Sequence, residues 1–301
     1  KVSSDVESLK KLTSRRNKTR QDSNFIPRKY IPNGSPNLRT IVKLISFLAI
    51  NPLPIEDVIA YYAEKLMLQN NLPDIVINTL IFDGQNRKIN SPVLSDYSLS
   101  YIPCEDTLGL LYISLRRLQD KKATGSYYTP FFAVDLLLEN LPDDKKNICD
   151  PSCGTGNFLL RLPNDYPLDL IYGYDIDPMA IKIARINLAL KYKIKTRAQL
   201  DTIIRNIISL DYLSPDKNQK KYSYIVGNPP WGSSFSKNQL SILKENYECA
   251  DMNGKPESFN LFVEKALKSL SLDGTMIFLL PEAILGADYH EIIRNIIKKY
   301  A

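Results

Sequence analysis

The sequence contains little histidine and cysteine, the residue types on which zinc sites and acid–base dyads most often depend. One histidine, His290, occurs among 301 residues, and the four cysteines stand at positions 104, 149, 153 and 249, where no pair has CxxC spacing. Structural zinc sites draw their ligands from closely spaced Cys and His pairs. We therefore expect no metal site, reduced thiols, and no catalysis by a histidine base.

The sequence also has no long apolar run. Its most apolar stretch, residues 45–50, is far shorter than the roughly 20 residues that a transmembrane helix needs, and no signal peptide opens the chain. Hydrophobic residues make up 44% and charged residues 24% of the chain, as in ordinary globular proteins. We expect a cytoplasmic protein that has no association with a membrane and folds into more than one domain.

Positive charge is concentrated at the start of the chain. Residues 1–40 contain ten Lys and Arg residues against three Asp and Glu residues, whereas the formal net charge of the whole chain is +6. A basic N-terminal arm of this kind can bind phosphates through the release of counterions. A solvated leader has the same composition, so both interpretations of residues 1–40 stay open.

Residues 41–120 are predicted to form a mainly helical N-terminal domain. A proline and two acidic residues mark the start of a predicted helix over 54–70. Apolar residues recur at helical spacing over 108–118, which predicts a second helix. The stretch 75–100 is ambiguous, and a short strand pair around Asp83-Gly84 is one prediction for it.

Residues 121–301 alternate between strand and helix patterns and are predicted to form a second, catalytic domain. Apolar strands are predicted at 148–149, 171–174, 203–210, 222–226 and 275–280. Helices are predicted to start at Pro178, with Asp177 as the N-cap, and to span 257–270 and 291–300. Such alternation is typical of α/β proteins with a doubly wound, largely parallel sheet, and we predict that fold class.

A glycine turn, residues 150–156, follows the first of these strands and reads Asp-Pro-Ser-Cys-Gly-Thr-Gly. Glycines let a backbone approach a ligand closely, and ligands bind at the strand ends of such sheets. No GK[ST] follows, which excludes a P-loop, and Leu159 stands where a dinucleotide fingerprint has its third glycine. Asp175, at the end of the next strand, suits ribose hydroxyls, and Asp150 suits a cationic ligand with an amino group, such as S-adenosylmethionine.

Three segments resemble motifs of the adenine-N6 DNA methyltransferases. DPSCGTGNFL (150–159) resembles motif I, GNPPW (227–231) resembles motif IV, and GSYYTP (125–130) resembles motif X. The order X, I, IV is that of the gamma group, which includes type I modification subunits and fused type II enzymes. The resemblance covers residues 105–285, and residues 1–100 match nothing familiar. It implies a Rossmann-like S-adenosylmethionine-dependent fold, from which the final strand hairpin is expected to be absent in this chain.

The resemblance also implies a cofactor site. Thr129 and Pro130 of motif X are expected beside the methionine part of the cofactor, and residues 150–156 around its amino acid and ribose. The cofactor would stack its adenine on Ile176, and Asp211 would accept the adenine amino group as motif III. The residues expected at the cofactor are Tyr128, Thr129, Pro130, Asp150, Ser152, Gly154, Gly156, Asp175, Ile176 and Asp211.

Residues 228–231 have a chemical logic of their own. An exocyclic adenine amine is a poor nucleophile because its lone pair is delocalised into the ring. The side-chain oxygen of Asn228 and the carbonyl of Pro229 can accept its two hydrogens, and Pro230 stiffens the segment. Trp231 can stack on a base that has left the duplex. A plain Pro-Pro turn with a buried tryptophan is the alternative reading of the segment alone.

We therefore predict a DNA adenine-N6 methyltransferase that flips its target base and belongs to a restriction-modification or related defence system. Its expected partners are double-stranded DNA and a specificity subunit or target-recognition domain outside this chain. Two alternatives stay open: methylation of RNA or of a protein glutamine amide, and a non-catalytic DNA-binding or assembly module of the same fold.

Overall fold

The computed structural model describes residues 26–84, 91–119, 128–215, 220–232, 235–250 and 256–300. The strands are β1 (Ile148–Asp150), β2 (Ile171–Asp175), β3 (Ile207–Ser209), β4 (Tyr222–Gly227) and β5 (Leu270–Phe278). The helices before the sheet are α1 (Pro36–Leu48), α2 (Ile55–Gln69), α3 (Asp74–Phe82), α4 (Thr107–Gln119) and α5 (Phe131–Leu138). The helices between and after the strands are α6 (Asn157–Leu160), α7 (Pro178–Tyr192), α8 (Arg197–Asn206), α9 (Lys237–Asn246), α10 (Ser258–Ser269) and α11 (Glu291–Tyr300).

The five strands form one parallel sheet in the order β3-β2-β1-β4-β5. The predicted parallel α/β sheet is therefore confirmed. The strand order reverses between β1 and β4, because the chain adds β2 and β3 on one side of β1 before it returns to the other. Ligands of such sheets bind at the carboxyl ends of the strands beside this reversal. Asp150, Asp175 and Gly227 end β1, β2 and β4 at that edge.

One hydrophobic core joins the N-terminal helices to the sheet. Ile41 of α1, Met67 of α2, Leu111 of α4 and Ala184 of α7 belong to the same buried cluster as Ile148 of β1. A second cluster, which includes Phe259, Phe262 and Ile293, joins α10 and α11. The predicted division of the chain at residues 40 and 120 stays a prediction. Tyr30 and Ile31, which fall within the proposed basic arm, are buried in the first cluster, and residues 1–25 lie outside the described residues.

The predicted strand pair around Asp83 is wrong in its first half. Residues 74–82 form α3, whose Val76, Ile77, Leu80 and Ile81 are buried at helical spacing. The helix ends at Asp83, which adopts a left-handed conformation with φ of 52°, and residues 85–90 are outside the described part of the chain. Two strand starts also differ from prediction, since β3 begins at Ile207 and β5 at Leu270. Among the helices that the structure describes, none is long and apolar enough to cross a membrane.

Asp177 caps α7, as the acid before Pro178 predicts. Its Oδ1 accepts hydrogen bonds from the backbone N–H groups of Met179 and Ala180 at 3.0 and 3.3 Å. Its Oδ2 accepts from Tyr112 Oη at 2.7 Å and from Arg116 at 2.8 Å. One carboxylate thus caps α7 and also joins it to α4.

We predict that Asp177→Ala lowers the free energy of unfolding by about 2 kcal/mol, because it removes an N-cap and leaves Tyr112 and Arg116 without their acceptor. Urea denaturation followed by circular dichroism measures this change. The control is Asp201→Ala, which breaks the exposed Arg197–Asp201 pair on α8 and should change stability by less than about 0.5 kcal/mol. Equal effects of the two substitutions would contradict the assignment.

Candidate active site

The site begins where β1 and β4 end side by side. Residues 148 and 149 of β1 pair with Tyr224 and Ile225 of β4, which brings Asp150 next to the end of β4. A Cβ built on Gly227 would lie 2.6 Å from Asp150 Oδ1, and Gly227 has a φ of +150°. Only glycine permits this approach. Position 227 must therefore be glycine, because a side chain there would collide with the carboxyl group of Asp150. Sequence reasoning missed this requirement.

Asp150 is almost fully buried, with 1% of its surface exposed. Its Oδ1 accepts a hydrogen bond from the Ser152 N–H at 3.1 Å. Burial raises the pKa of Asp150 to about 8, and the negative charge of Asp175 also raises it, whereas the Ser152 hydrogen bond opposes the change. The carboxyl group is thus protonated at neutral pH unless a cation lies beside it.

The glycine turn presents its backbone to open space. Gly154 and Gly156 have φ values of +52° and +92°, conformations that side chains disfavour. A Cβ on Gly156 would press on Ala184 of α7 at 3.3 Å, whereas a Cβ on Gly154 would meet no atom within 4 Å. The Gly154 N–H donates to Asp175 Oδ2 at 2.8 Å. The turn therefore packs against α7 at Gly156 and has open space beside it at Gly154.

Asp175 and Ile176 combine a carboxyl group with an exposed apolar side chain. Asp175 Oδ1 accepts from the Asp177 N–H at 2.9 Å, and burial raises the pKa of Asp175. Ile176 is 71% exposed although it is a large hydrophobic residue. A hydroxyl-bearing sugar beside the carboxyl group and a flat ring on Ile176 would use both features. Together with the buried carboxyl group of Asp150, this set fits S-adenosylmethionine, which combines a ribose, an adenine and a cationic amino acid.

Three hydrogen bonds hold residues 227–231 in place. The Asn228 carbonyl accepts from Ser152 Oγ at 3.3 Å, and the Pro230 carbonyl accepts from Ser258 Oγ at 2.5 Å. The Gly227 carbonyl accepts from the Leu279 N–H at 3.0 Å. Ser258 is buried at the start of α10. Sequence reasoning missed this residue, whose one signal in the sequence is its place as a polar residue at the start of an amphipathic helix. The segment is thus a fixed loop that the glycine turn itself supports.

The described part of motif X lies against the glycine-turn region. Thr129 is buried, and its carbonyl accepts from Asn157 Nδ2 at 3.0 Å. Pro130 is the N-cap residue directly before α5. Tyr128 packs edge-on against the ring of Tyr30 at a centroid distance of 5.7 Å. Residues 125–127 of the motif lie outside the described residues.

Asp211 lies beside the β2 end of the site. The N–H of Leu210 donates to the Asp175 carbonyl at 2.9 Å, which brings the chain after β3 to Asp175. Asp211 Oδ1 accepts from the Leu213 N–H at 3.0 Å within its own turn. The following Tyr212 is buried, and its ring packs against Tyr174 and Phe262. The assignment of Asp211 and of the other cofactor residues stays a prediction.

Metal ligands do not cluster in the described residues, where no group of three or more His, Cys, Asp or Glu side chains could hold an ion. His290 is buried instead, with Nδ1 3.0 Å from Asn260 Nδ2 and its ring against Phe259. Burial lowers its pKa, as does the charge of Arg294.

Comparison with known proteins gives relatives for most of the chain. The family model of the N-6 DNA methylases matches residues 104–300. The Type II methyltransferase M.VspI of Vibrio sp. (strain 343) is 33% identical over 179 residues, which are 58% of this chain and 41% of that protein. The chain spans less than half the length of the curated relatives it matches.

Two solved structures share the fold. A Listeria monocytogenes protein described as a class I S-adenosylmethionine-dependent methyltransferase superposes with a TM-score of 0.51 at 19% identity, over 87% of this chain and 79% of that chain. A type I restriction enzyme modification subunit from Vibrio vulnificus YJ016 superposes with a TM-score of 0.50 at 23% identity, over 73% and 50% of the two chains. At these identities the likeness concerns the fold alone. Because the family model spans more than half of the chain, including the glycine turn and residues 227–231, the chain belongs to the N-6 DNA methylase family.

Proposed function

We propose that the protein methylates the N6 amino group of adenine in double-stranded DNA, with S-adenosylmethionine as methyl donor, within a restriction-modification or related defence system. The observation that carries this proposal is the direct contact between the glycine turn and residues 227–231. Asp150 lies against Gly227, and Ser152 donates to the Asn228 carbonyl. The contact supports the proposal because a transfer between two bound molecules requires the proposed cofactor pocket and the proposed amine-binding loop to lie against each other.

The cofactor would be held by the side chains at the ends of β1 and β2. Asp175 would accept hydrogen bonds from the ribose hydroxyls, Ile176 would pack its exposed side chain on the adenine, and Asp211 would accept a hydrogen bond from the adenine amino group. Asp150 becomes a carboxylate when a cationic amino group lies beside it, because the attraction offsets the cost of burial. When bound, S-adenosylmethionine supplies a methyl group on a positively charged sulfur.

The target amine would be held by residues 228 and 229. The Asn228 side-chain oxygen and the Pro229 carbonyl accept its two hydrogens, which favours a tetrahedral nitrogen with an available lone pair. The fixed Pro229 backbone needs no rearrangement as positive charge develops on the amine. Neither oxygen is a base, so the proton lost after methylation goes to solvent. Ser152 and Ser258, through the neighbouring carbonyls of Asn228 and Pro230, keep this loop in place.

The base must leave the duplex before its amine can reach this loop, because the target atom is inaccessible inside the stack. Trp231 follows directly and can stack on the extruded base, an interaction worth about 1–3 kcal/mol. We propose that a specificity subunit or a target-recognition domain outside this chain chooses the adenine.

We predict that Asn228→Ala lowers kcat about 100- to 1,000-fold, because it removes a preorganised acceptor at the nitrogen where charge develops. Transfer of labelled methyl groups to duplex DNA measures kcat, and calorimetry should show unchanged cofactor affinity. The control is Asn140→Ala, which removes an exposed amide bonded to the Leu136 carbonyl at the end of α5 and should leave both quantities unchanged.

RNA and protein are offered to the enzyme in the same assay. Label in duplex DNA alone supports the proposal. Label in RNA or protein but not in DNA would contradict it, as would full activity of the Asn228→Ala variant.

We predict that cofactor binding at pH 7 releases close to one proton from Asp150. The pKa of this carboxyl group is about 8 in the free protein, so it starts protonated and ionises beside the cationic amino group. Affinity should therefore rise between pH 6 and pH 7.5. The pH dependence of folding stability has the opposite sign. Because the pKa of Asp150 is higher in the folded protein than in the unfolded chain, protonation stabilises the fold at low pH, and this stabilisation is lost as the pH rises toward 8.

Calorimetric titrations in buffers of different ionisation enthalpy count the released protons. The Asp150→Asn variant should release none, and Asp201→Asn, on the exposed face of α8, should behave as the unmodified protein. Binding without proton release in the unmodified protein would show that Asp150 does not meet the amino group.

A further inference from the structure

Tyr30, 125 residues before Thr155 in sequence, reaches the inner side of the glycine turn. Its hydroxyl donates to Asp106 Oδ2 at 2.5 Å and lies 3.0 Å from Thr155 Oγ1. Tyr30, Asp106 and Thr155 are each less than 5% exposed. A hydroxyl at this depth contributes through the partners it holds rather than through contact with solvent.

Asp106 is the centre of this buried network. Its two oxygens accept four hydrogen bonds: from Tyr30, from Thr155 Oγ1, from Asn187 Nδ2 at 2.7 Å and from the Gly109 N–H at 2.8 Å. Four donors fill the acceptor sites of an ionised carboxylate. Burial raises the pKa of Asp106, and these hydrogen bonds oppose that change. Each of these hydrogen bonds therefore lowers the free-energy cost of the buried negative charge.

Gly109 shows how tightly the network is packed. A Cβ at this position would overlap both the Asp106 carboxylate and the Thr155 hydroxyl. Its φ lies outside the region that favours glycine, so space rather than backbone conformation excludes a side chain. Contact with the glycine turn thus explains the spacing of Asp106, the residue directly before α4, and Gly109, in the first turn of α4.

Thr155 stands between the two glycines of the turn, both of which have positive φ. Gly-rich segments lose more conformational freedom on ordering than others do. Thr155 is anchored at two atoms, since Oγ1 donates to Asp106 and its carbonyl accepts from Asn187 Nδ2 at 2.9 Å. These anchors fix the position of Thr155 and with it the backbone between Gly154 and Gly156.

The segment that carries Tyr30 also holds motif X. The ring of Tyr30 meets that of Tyr128 edge-on, and the Lys29 carbonyl accepts from the Phe131 N–H at 3.2 Å. Motif X and the glycine turn form two sides of the proposed cofactor site. One short piece of chain, residues 29–30, thus contacts both.

We infer that Tyr30, acting through Asp106 and Thr155, is a positioning residue for the cofactor site and fixes the glycine turn and motif X before the cofactor binds. The inference rests on the proposed function for the identity of the ligand. It assigns a role to the N-terminal part of the chain, to which the family motifs give none.

The test compares two variants that each remove one buried hydroxyl. Tyr30→Phe deletes the contact with Asp106. Tyr62→Phe deletes a hydrogen bond to the Leu94 carbonyl in the core of the N-terminal helices, where Tyr62 is 2% exposed. Both are made in the full-length protein. Three quantities are measured: the Kd of S-adenosylhomocysteine by calorimetry, the melting temperature without ligand, and hydrogen exchange of residues 152–158 without ligand.

We expect Tyr30→Phe to raise the Kd about threefold to tenfold and to speed exchange across residues 152–158, because a hydrogen bond to a charged group is lost. Tyr62→Phe should lower the melting temperature by an amount similar to that caused by Tyr30→Phe. It should leave the Kd and the exchange of residues 152–158 unchanged. Thr155→Val should reproduce the Tyr30→Phe effect on Kd, and the double variant should show less than the product of the two effects.

An unchanged Kd and unchanged exchange in Tyr30→Phe would overturn the inference, as would equal effects of the two tyrosine variants on the Kd. Failure of the unmodified protein to bind S-adenosylhomocysteine or S-adenosylmethionine would instead contradict the proposed function. The exchange comparison, which needs no ligand, still decides in that case whether Tyr30 holds the turn.

Discussion

The contact on which the site depends is that of the Asp150 carboxyl group with the backbone of Gly227. It follows from the parallel pairing of β1 with β4, which brings two chain ends to the same edge of the sheet. The contact excludes any side chain at position 227 and buries an acid whose pKa rises to about 8. A buried carboxyl group is costly unless it gains a partner. A cationic ligand beside the carboxylate would offset this cost, and Ser152 ties the same turn to the loop that follows.

The N-terminal helices complete the site in the same way, through buried polar contacts. Asp106, directly before α4, receives donors from Tyr30, Thr155 and Asn187, which belong to three separate parts of the chain. Such networks specify one arrangement only when every member is present. The hydrophobic core is likewise continuous from α1 to the sheet. The helices before the motifs are therefore part of the structure that shapes the proposed cofactor pocket.

Periodicity and motifs predicted the parallel sheet, the helices of residues 54–70, 108–118 and 257–270, and the cap at Asp177, because each depends on local sequence. The glycine turn and residues 227–231 were recognisable for the same reason. Three contacts were not predictable. They are the contact of Gly227 with Asp150, that of Tyr30 with the glycine turn, and the hydrogen bond from Ser258 to the loop of residues 227–231. Each pairs residues far apart in sequence, and no local pattern records such a pair. The strand pair predicted around Asp83 failed because a short apolar run fits a strand and a buried helix equally well.

The most direct test of the proposed chemistry is to identify the atom that is methylated. The full-length protein is incubated with S-adenosylmethionine and unmethylated duplex DNA, and the DNA is digested to nucleosides for mass spectrometry. The proposed binding of the target amine by Asn228 and Pro229 predicts N6-methyldeoxyadenosine as the product. A methyl group on cytosine N4, on a ring carbon or on a ring nitrogen would contradict this account.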